Sequence, residues 1–193
     1  MEKQAKIVVI DNFDSFTYNL VHYLEGISKS NIDVFRNNAV DIDELDSYDC
    51  IVLSPGPGLP NDAGICMQII EKYYTSKKIL GVCLGMQAIG EFFGGKLINL
   101  KNVYHGLSTP ISVLVNDDVL FRGLPVQFEV GRYHSWVINP NTLPKDLLIT
   151  SVDFENNPMS IKHINYPLFG VQFHPESILT PNGKVILENF LSV

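Results

Sequence analysis

The hydrophobic positions of this chain change rhythm near its middle. Residues 5–11 form a β-branched apolar run ending at Asp11, as expected of a strand buried on both faces of a parallel sheet. Phe16, Leu20, Tyr23, Leu24 and Ile27 then recur with a helical period, and Asp14 or Ser15 can cap that helix. Residues 32–36 and 50–53 read as a second and third strand, followed by a helix from about residue 63 to residue 75. A further apolar run reaches Gly81, and after Gly85 a helical pattern continues to Gly94-Gly95. Strands alternating with helices predict an α/β fold: an open, mostly parallel sheet with right-handed crossovers and flanking helices. Ligands of such folds bind beyond the carboxyl ends of the strands.

Beyond residue 95 the pattern shortens. Residues 96–98, 110–115, 127–130, 133–138, 147–152, 159–164 and 168–173 read as brief strands separated by Pro, Asn, Asp and Gly turns. They should add strands to the sheet, some antiparallel. Thr180-Pro181 reads as an N-cap followed by proline at the first helical position, opening a last helix that runs through Leu191. There is no internal repeat, low-complexity segment or long linker, so one domain spanning 1–193 is expected.

Composition narrows the class. With 193 residues, 46% hydrophobic and 18% charged, the chain can bury a sizeable core. No apolar run is long enough to span a bilayer, and Met1-Glu2-Lys3-Gln4 lacks the apolar stretch of a signal peptide, so a cytoplasmic protein is expected. A formal charge of -7 argues against nucleic acid, which needs a basic patch. Three irregularly spaced cysteines argue against a disulfide framework or a zinc site. A special cysteine here would be chemical rather than structural.

Two segments carry candidate chemistry. In Gly81-Val82-Cys83-Leu84-Gly85 the layout is that of a nucleophile elbow, a sharp strand-to-helix turn flanked by small residues. A thiol there lies at a helix N-terminus, where the dipole favours the thiolate; a buried cysteine closing an apolar strand is the plain alternative. Ser54-Pro55-Gly56-Pro57-Gly58-Leu59-Pro60 follows the third strand, stiffened by proline and open at glycine. It can offer backbone N–H groups to an anion, or simply join a strand to a helix; it lacks the Gly-Lys-Ser/Thr ending of a phosphate loop.

A thiolate nucleophile needs a base, and the base an orienting partner. His22 and His163 lie inside a helix and a strand and read as structural, whereas His105 and His134, near loops, stay open. His174 follows a strand directly, and Pro175 disfavours a helical conformation there. The imidazole should sit at the same sheet edge as Cys83 if the two strands are parallel neighbours. Glu176, two residues on, could hold its tautomer, although His-Pro-Glu is also an ordinary surface turn.

Together, Gly81–Gln87, Ser54–Gly58 and Gln172-Phe173-His174-Pro175-Glu176-Ser177 resemble the class I (triad) glutamine amidotransferases. The opening 10–20, Ile-Asp-Asn-Phe-Asp-Ser-Phe-Thr-Tyr-Asn-Leu, and Arg132-Tyr133-His134-Ser135 resemble the glutaminase subunits of anthranilate synthase and aminodeoxychorismate synthase. The resemblance covers nearly the whole chain and implies the flavodoxin-like amidotransferase fold. It implies that Cys83, His174 and Glu176 form a triad that hydrolyses the side-chain amide of glutamine through a glutamyl thioester. It also implies an oxyanion hole from the backbone of Leu84, Gly56 and Gly58, and glutamine binding by Gly56, Pro57, Gly58, Gln87, Ser135 and Trp136.

The resemblance further implies a partner, a chorismate-binding synthase subunit holding Mg²⁺, which receives the ammonia; this chain needs no metal or organic cofactor of its own. Anthranilate is the favoured product, with aminodeoxychorismate the alternative, or one subunit serving both. Two positions depart from the family pattern: Met86, where many relatives carry histidine, and Trp136, where leucine is frequent. A non-catalytic binding module on this fold, and a thiol hydrolase of another amide or ester, are the competing readings. Cys50 and Cys66 match no catalytic motif and read as core residues.

Overall fold

The computed structural model describes residues 5–193; Met1–Gln4 lie outside the described residues. Its strands and helices are, in chain order, β1 (Ile7–Asp11), α1 (Thr17–Ser28), β2 (Asp33–Arg36), β3 (Cys50–Leu53), α2 (Cys66–Tyr73), β4 (Lys78–Val82) and α3 (Leu84–Phe92). The second half holds β5 (Leu97–Asn99), β6 (Leu107–Val113), β7 (Gln127–Arg132), β8 (Trp136–Ile138), β9 (Leu147–Val152), β10 (Pro158–His163), β11 (Leu168–Val171) and α4 (Gly183–Leu191).

The apolar runs dominate because both faces of the sheet are covered. Along β1, Val9 points to one core and Val8 and Ile10 to the other, all with no exposed surface. On Val9's face lie Leu20 and Leu24 of α1 and Ile186 and Phe190 of α4. On the opposite face lie Ile69 and Ile70 of α2 and Ala88 and Ile89 of α3. A Val, Leu or Ile buried this fully is worth about 1.5–3 kcal/mol relative to exposure. The strands therefore have no polar face to alternate with.

The nine-stranded sheet has the order β2-β1-β3-β4-β11-β10-β9-β6-β7, and β5 and β8 form a separate two-stranded ribbon. β2, β1, β3, β4 and β11 are parallel, which reproduces the flavodoxin-like order with β11 as its last strand. β10, β9, β6 and β7 extend it antiparallel. The α/β class and its added antiparallel strands are as expected from the sequence. β4 lies between β3 and β11, so the segments leaving these three carboxyl ends meet.

Several local expectations are corrected. Residues 133–135 form a loop rather than the start of a strand, and only Trp136–Ile138 pairs, with β5. The last helix begins at Gly183 and not at Pro181. The Thr180 hydroxyl caps nothing: it donates to His174 O at 2.6 Å and accepts from Gly131 N at 2.9 Å. Likewise α1 starts at Thr17 without a side-chain cap, although Asp14 Oδ1 accepts from Phe16 N at 2.7 Å in the turn before it.

Candidate active site

Cys83 joins β4 to α3 with φ 52 and ψ -102, a positive φ that a side-chain-bearing residue adopts only under constraint. The constraint is tertiary. Cys83 N donates to Val171 O at 2.7 Å, and its own carbonyl accepts from Gln87 N at 3.0 Å. The strand and helix on either side touch backbone to backbone, since a Cβ on Gly81 would stand 2.4 Å from the Gly85 carbonyl. Glycine is required at both ends of the turn, and the elbow layout read in the sequence is the one observed. Cys83 is 7% exposed and lines a cavity.

His174 leaves the sheet from the neighbouring strand. β11 pairs parallel with β4, so the imidazole and the thiol share one edge, as the sequence suggested. The strand itself ends earlier than expected, at Val171, and the three residues beyond it are held by other bonds. Gln172 N donates to Met159 O at 2.9 Å and His174 N to Gly131 O at 3.0 Å. His174 Nδ1 donates to Glu176 Oε1 at 2.7 Å, with both side chains buried. That bond fixes the ring's orientation and turns Nε2 away from Glu176, where it has no hydrogen-bond partner among the described residues. Burial alone would push the imidazole down, but Cys83 and Glu176 outweigh it and hold His174 well above the ordinary histidine range. The ring is walled by Tyr133, with centroids 4.8 Å apart, and by Phe16 at 5.6 Å.

The loop leaving β3 faces Cys83 from the other side. Its start is anchored by Asn12 at the end of β1: Asn12 N donates to Ser54 Oγ and Asn12 Nδ2 to Ser54 O, both at 2.8 Å. Asn12 Oδ1 in turn accepts from Asn37 Nδ2 at 2.8 Å and from Cys66 Sγ at 3.0 Å. Gly56 is wedged in, because a Cβ there would lie 2.5 Å from Asn12 and 2.8 Å from Leu84. Gly58 has φ +79, which only glycine adopts cheaply. Leu84 opens α3, so its N–H is one of the free donors of a helix start.

Gly56, Pro57, Gly58, Cys83, Leu84, Gln87, Ser135 and Trp136, all named from the sequence, line one cavity of about 310 Å³, together with Leu59, Tyr133 and His134. This is at the small end of the range for metabolite sites, roughly 300–1,000 Å³. A second cavity, of about 390 Å³, opens on the His174 side and shares Gly56, Pro57, Cys83 and Tyr133 with the first. His105 belongs to this one. Cys83 thus lines both spaces.

The wall formed by 134–136 is pinned at three successive carbonyls. Tyr104 N donates to His134 O at 3.0 Å and Leu100 N to Ser135 O at 2.7 Å. Trp136 O accepts from Gln87 Nε2 at 2.9 Å and from His134 Nδ1 at 3.1 Å. His134 is buried and neutral: its Nε2 accepts from Arg132 Nε at 3.1 Å, and burial followed by the Arg132 charge pushes its pKa down to about 3. Arg132 is itself fully buried, ion-paired to Asp153 at 2.9 Å and stacked on Tyr104 at 3.5 Å.

Some placements were beyond sequence reasoning. Gln172 and Asn12 lie inside the quoted motifs without an assigned role, yet Gln172 Nε2 points at Cys83 Sγ and Asn12 anchors the loop that follows β3. Their signal was position, each just past a strand end. Met86 does not reach the cavity; it is fully buried in the core, packed on Gly170 of β11, where a Cβ would meet it at 2.8 Å. Trp136 does line the cavity. Cys50 and Cys66 are core residues whose thiols burial pushes up to about 12. His22 is exposed on α1, and His163 Nδ1 accepts from Asn165 N and Tyr166 N, a structural arrangement.

Residues 8–193 match the family model described as glutamine amidotransferase class-I. The chain belongs to the class-I glutamine amidotransferases, enzymes of the glutamine amidotransferase type. It is 42% identical over 191 residues to the bifunctional protein TrpGD of Thermotoga maritima, covering 97% of this chain and 32% of that longer protein. It is 41% identical over 187 residues to the aminodeoxychorismate/anthranilate synthase component 2 of Bacillus subtilis, covering 96% of this chain and 95% of that one. In structure it is similar to a Thermoplasma acidophilum protein provisionally described as a GMP synthase subunit, with a TM-score of 0.89, 28% identity, and coverage of 100% and 94% of the two chains.

Proposed function

We propose that Cys83, His174 and Glu176 form the catalytic triad of a glutaminase subunit that supplies ammonia to a chorismate-binding synthase partner. The observation that carries this reading is the strained Cys83 elbow set between the Gly56–Gly58 donor loop and the buried His174–Glu176 pair. His174 Nε2 takes the thiol proton, and the sulfur attacks the amide carbon of glutamine bound in the smaller cavity. The tetrahedral oxyanion is stabilised by the N–H groups of Leu84, Gly56 and Gly58; one such donor is typically worth about 10²- to 10³-fold in rate. His174 returns the proton to the departing nitrogen, the C–N bond breaks, and ammonia and a glutamyl thioester result. Water deprotonated by His174 then cleaves the thioester, giving glutamate and the free thiol.

Gln87, Pro57 and the pinned backbone of Ser135 and Trp136 hold the amino-acid end of the substrate. The second cavity, which reaches both Cys83 and His174, supports ammonia leaving on the side opposite glutamine. No step calls for a metal or organic cofactor in this chain, and Mg²⁺ is assigned to the partner. Among the described residues no helix is long and apolar enough to cross a membrane. The cytoplasm, where chorismate chemistry is expected, is the assigned location.

The similarity to relatives named as anthranilate synthase and aminodeoxychorismate synthase components supports a synthase partner. Anthranilate is the favoured product; a subunit serving both syntheses is the second reading, favoured by the double name of the Bacillus subtilis relative. The decisive experiment is reconstitution with each synthase partner. Cys83→Ala should abolish glutamine-dependent synthesis while added ammonium still supports it, and the aminated product identifies the pathway. Loss of both activities would count against the assignment.

A further inference from the structure

Gln172 is completely buried, one residue past β11, and its side chain bridges two parts of the site. Nε2 lies 3.4 Å from Cys83 Sγ, and Oε1 accepts from Gln87 Nε2 at 3.1 Å. The orientation of both amides follows from chemistry. Trp136 O is a backbone carbonyl and can only accept, so the Gln87 atom 2.9 Å from it is the nitrogen. That same nitrogen faces the Gln172 amide, which must turn its oxygen to it, since two NH₂ groups would otherwise oppose each other. An N–H of Gln172 is therefore left aimed at the sulfur. The sequence Trp136 O, Gln87 amide, Gln172 amide, Cys83 Sγ has a single polarity, set at the pinned wall and ending at the reacting atom.

We infer that Gln172 is a further catalytic residue, a fixed N–H donor that stabilises the Cys83 thiolate and is held in that orientation by Gln87 through the Trp136 carbonyl. A hydrogen bond to an ionised sulfur is stronger than one to the neutral thiol, so the donor acts before glutamine arrives, when the thiolate must persist. As the sulfur becomes a thioester its charge is lost and the bond weakens. Gln172 therefore favours the thiolate of the resting enzyme and of the departing thiolate in the second half-reaction. Gln172 has no exposed surface, so its donor is not lost to competition from solvent as that of an exposed side chain would be. The same linkage lets substrate contacts at Gln87 be felt at the sulfur.

This inference rests on Cys83 being the nucleophile, and the test separates the two. Alkylation of Cys83 by iodoacetamide is followed against pH, without glutamine, in the wild type, Gln172→Met and Gln172→Glu, with modification located by mass spectrometry. Methionine keeps the length and loses the donor; glutamate replaces it with an acceptor. The alkylation profile should move to higher pH in Gln172→Met, with the rate near neutral pH falling roughly ten-fold, and further in Gln172→Glu, while the plateau at high pH is retained. Equal profiles in the wild type and Gln172→Met would overturn the proposal, since a space-filling role predicts no change. If Cys83→Ala keeps glutaminase activity, the nucleophile assignment itself fails, whatever the Gln172 variants do. Should the variants not fold, the wild type answers by NMR: the side-chain amide protons of Gln172 should shift downfield with the same midpoint as alkylation and cease to titrate in Cys83→Ala. Amide protons that do not move in the wild type sink the proposal.

Discussion

Gly81 and Gly85 touch backbone to backbone across the elbow, so closely that a Cβ on Gly81 would stand 2.4 Å from the Gly85 carbonyl. Gly85 is confined from its other side too, since a Cβ there would lie 2.5 Å from Leu53 O. A backbone cannot yield as a side-chain tip can. Gly81→Ala should therefore cost at least about 1–3 kcal/mol of stability by overpacking and remove glutaminase activity, because β4 and α3 must separate and Cys83 turns with them. Urea denaturation and an ammonia-release assay check both; a variant with the wild-type midpoint and rate would refute the account.

Glu176→Gln tests the imidazole's orientation rather than its presence. The glutamine amide can present its nitrogen to His174 Nδ1, which reverses the tautomer and takes the lone pair from Nε2. In a serine triad the equivalent change lowers kcat by about 10⁴, and a loss on the order of 10³- to 10⁴-fold is expected here. KM for glutamine should change little, because Glu176 does not line the cavity proposed to hold glutamine. A large KM effect with kcat preserved would point to a binding role instead.

Gly56→Ala should separate oxyanion stabilisation from nucleophile strength. Its new methyl would press on Asn12 at 2.5 Å and on Leu84 at 2.8 Å, pushing the donor loop away from the sulfur. The expected result is a fall of about 10²- to 10³-fold in kcat with unchanged alkylation of Cys83. Slower alkylation in step with kcat would show that the loop acts on the thiolate rather than on the oxyanion.

The two buried histidines near the site shape stability against pH in opposite ways. His134, held down at about 3 against an ordinary 6.5, stays neutral in the fold but binds a proton when unfolded below 6.5. Its contribution is present above pH 6.5 and is lost as pH falls towards about 3, on the order of a few kcal/mol in all. His174 is raised, so its contribution is complete below 6.5 and is lost as pH rises through its elevated folded value. Thermal melts from pH 7 to pH 4 should show a steep loss that becomes shallower in His134→Gln. An unaltered slope would show that carboxylates alone cause it.

Much of the site was legible because its parts sit just past apolar runs. Cys83 follows β4, His174 stands three residues after β11, and the Gly56–Gly58 loop leaves β3. In a parallel sheet such positions converge at one edge, so a strand assignment is also a placement. Residues 133–135 and 180–181 misled, because an apolar or capping pattern there serves tertiary bonds: Tyr104 N and Leu100 N hold the one, His174 O and Gly131 N the other.

By itself the sequence determined the alternation of strands and helices, the glycines that the elbow demands, the thiol, and the imidazole with its carboxylate two residues on. These are local matters of side-chain period, backbone conformation and chemical type. Tertiary structure alone decided that β11, last in sequence, would lie beside β4, that Asn12 would lock the donor loop, and that Met86 would turn into the core while Trp136 faced the cavity. It also decided the direction of the Gln87 and Gln172 amides, since a hydrogen bond has a polarity only when both partners are in place. Contacts between residues as far apart as Cys83 and Gln172 depend on strand order, which no local pattern encodes.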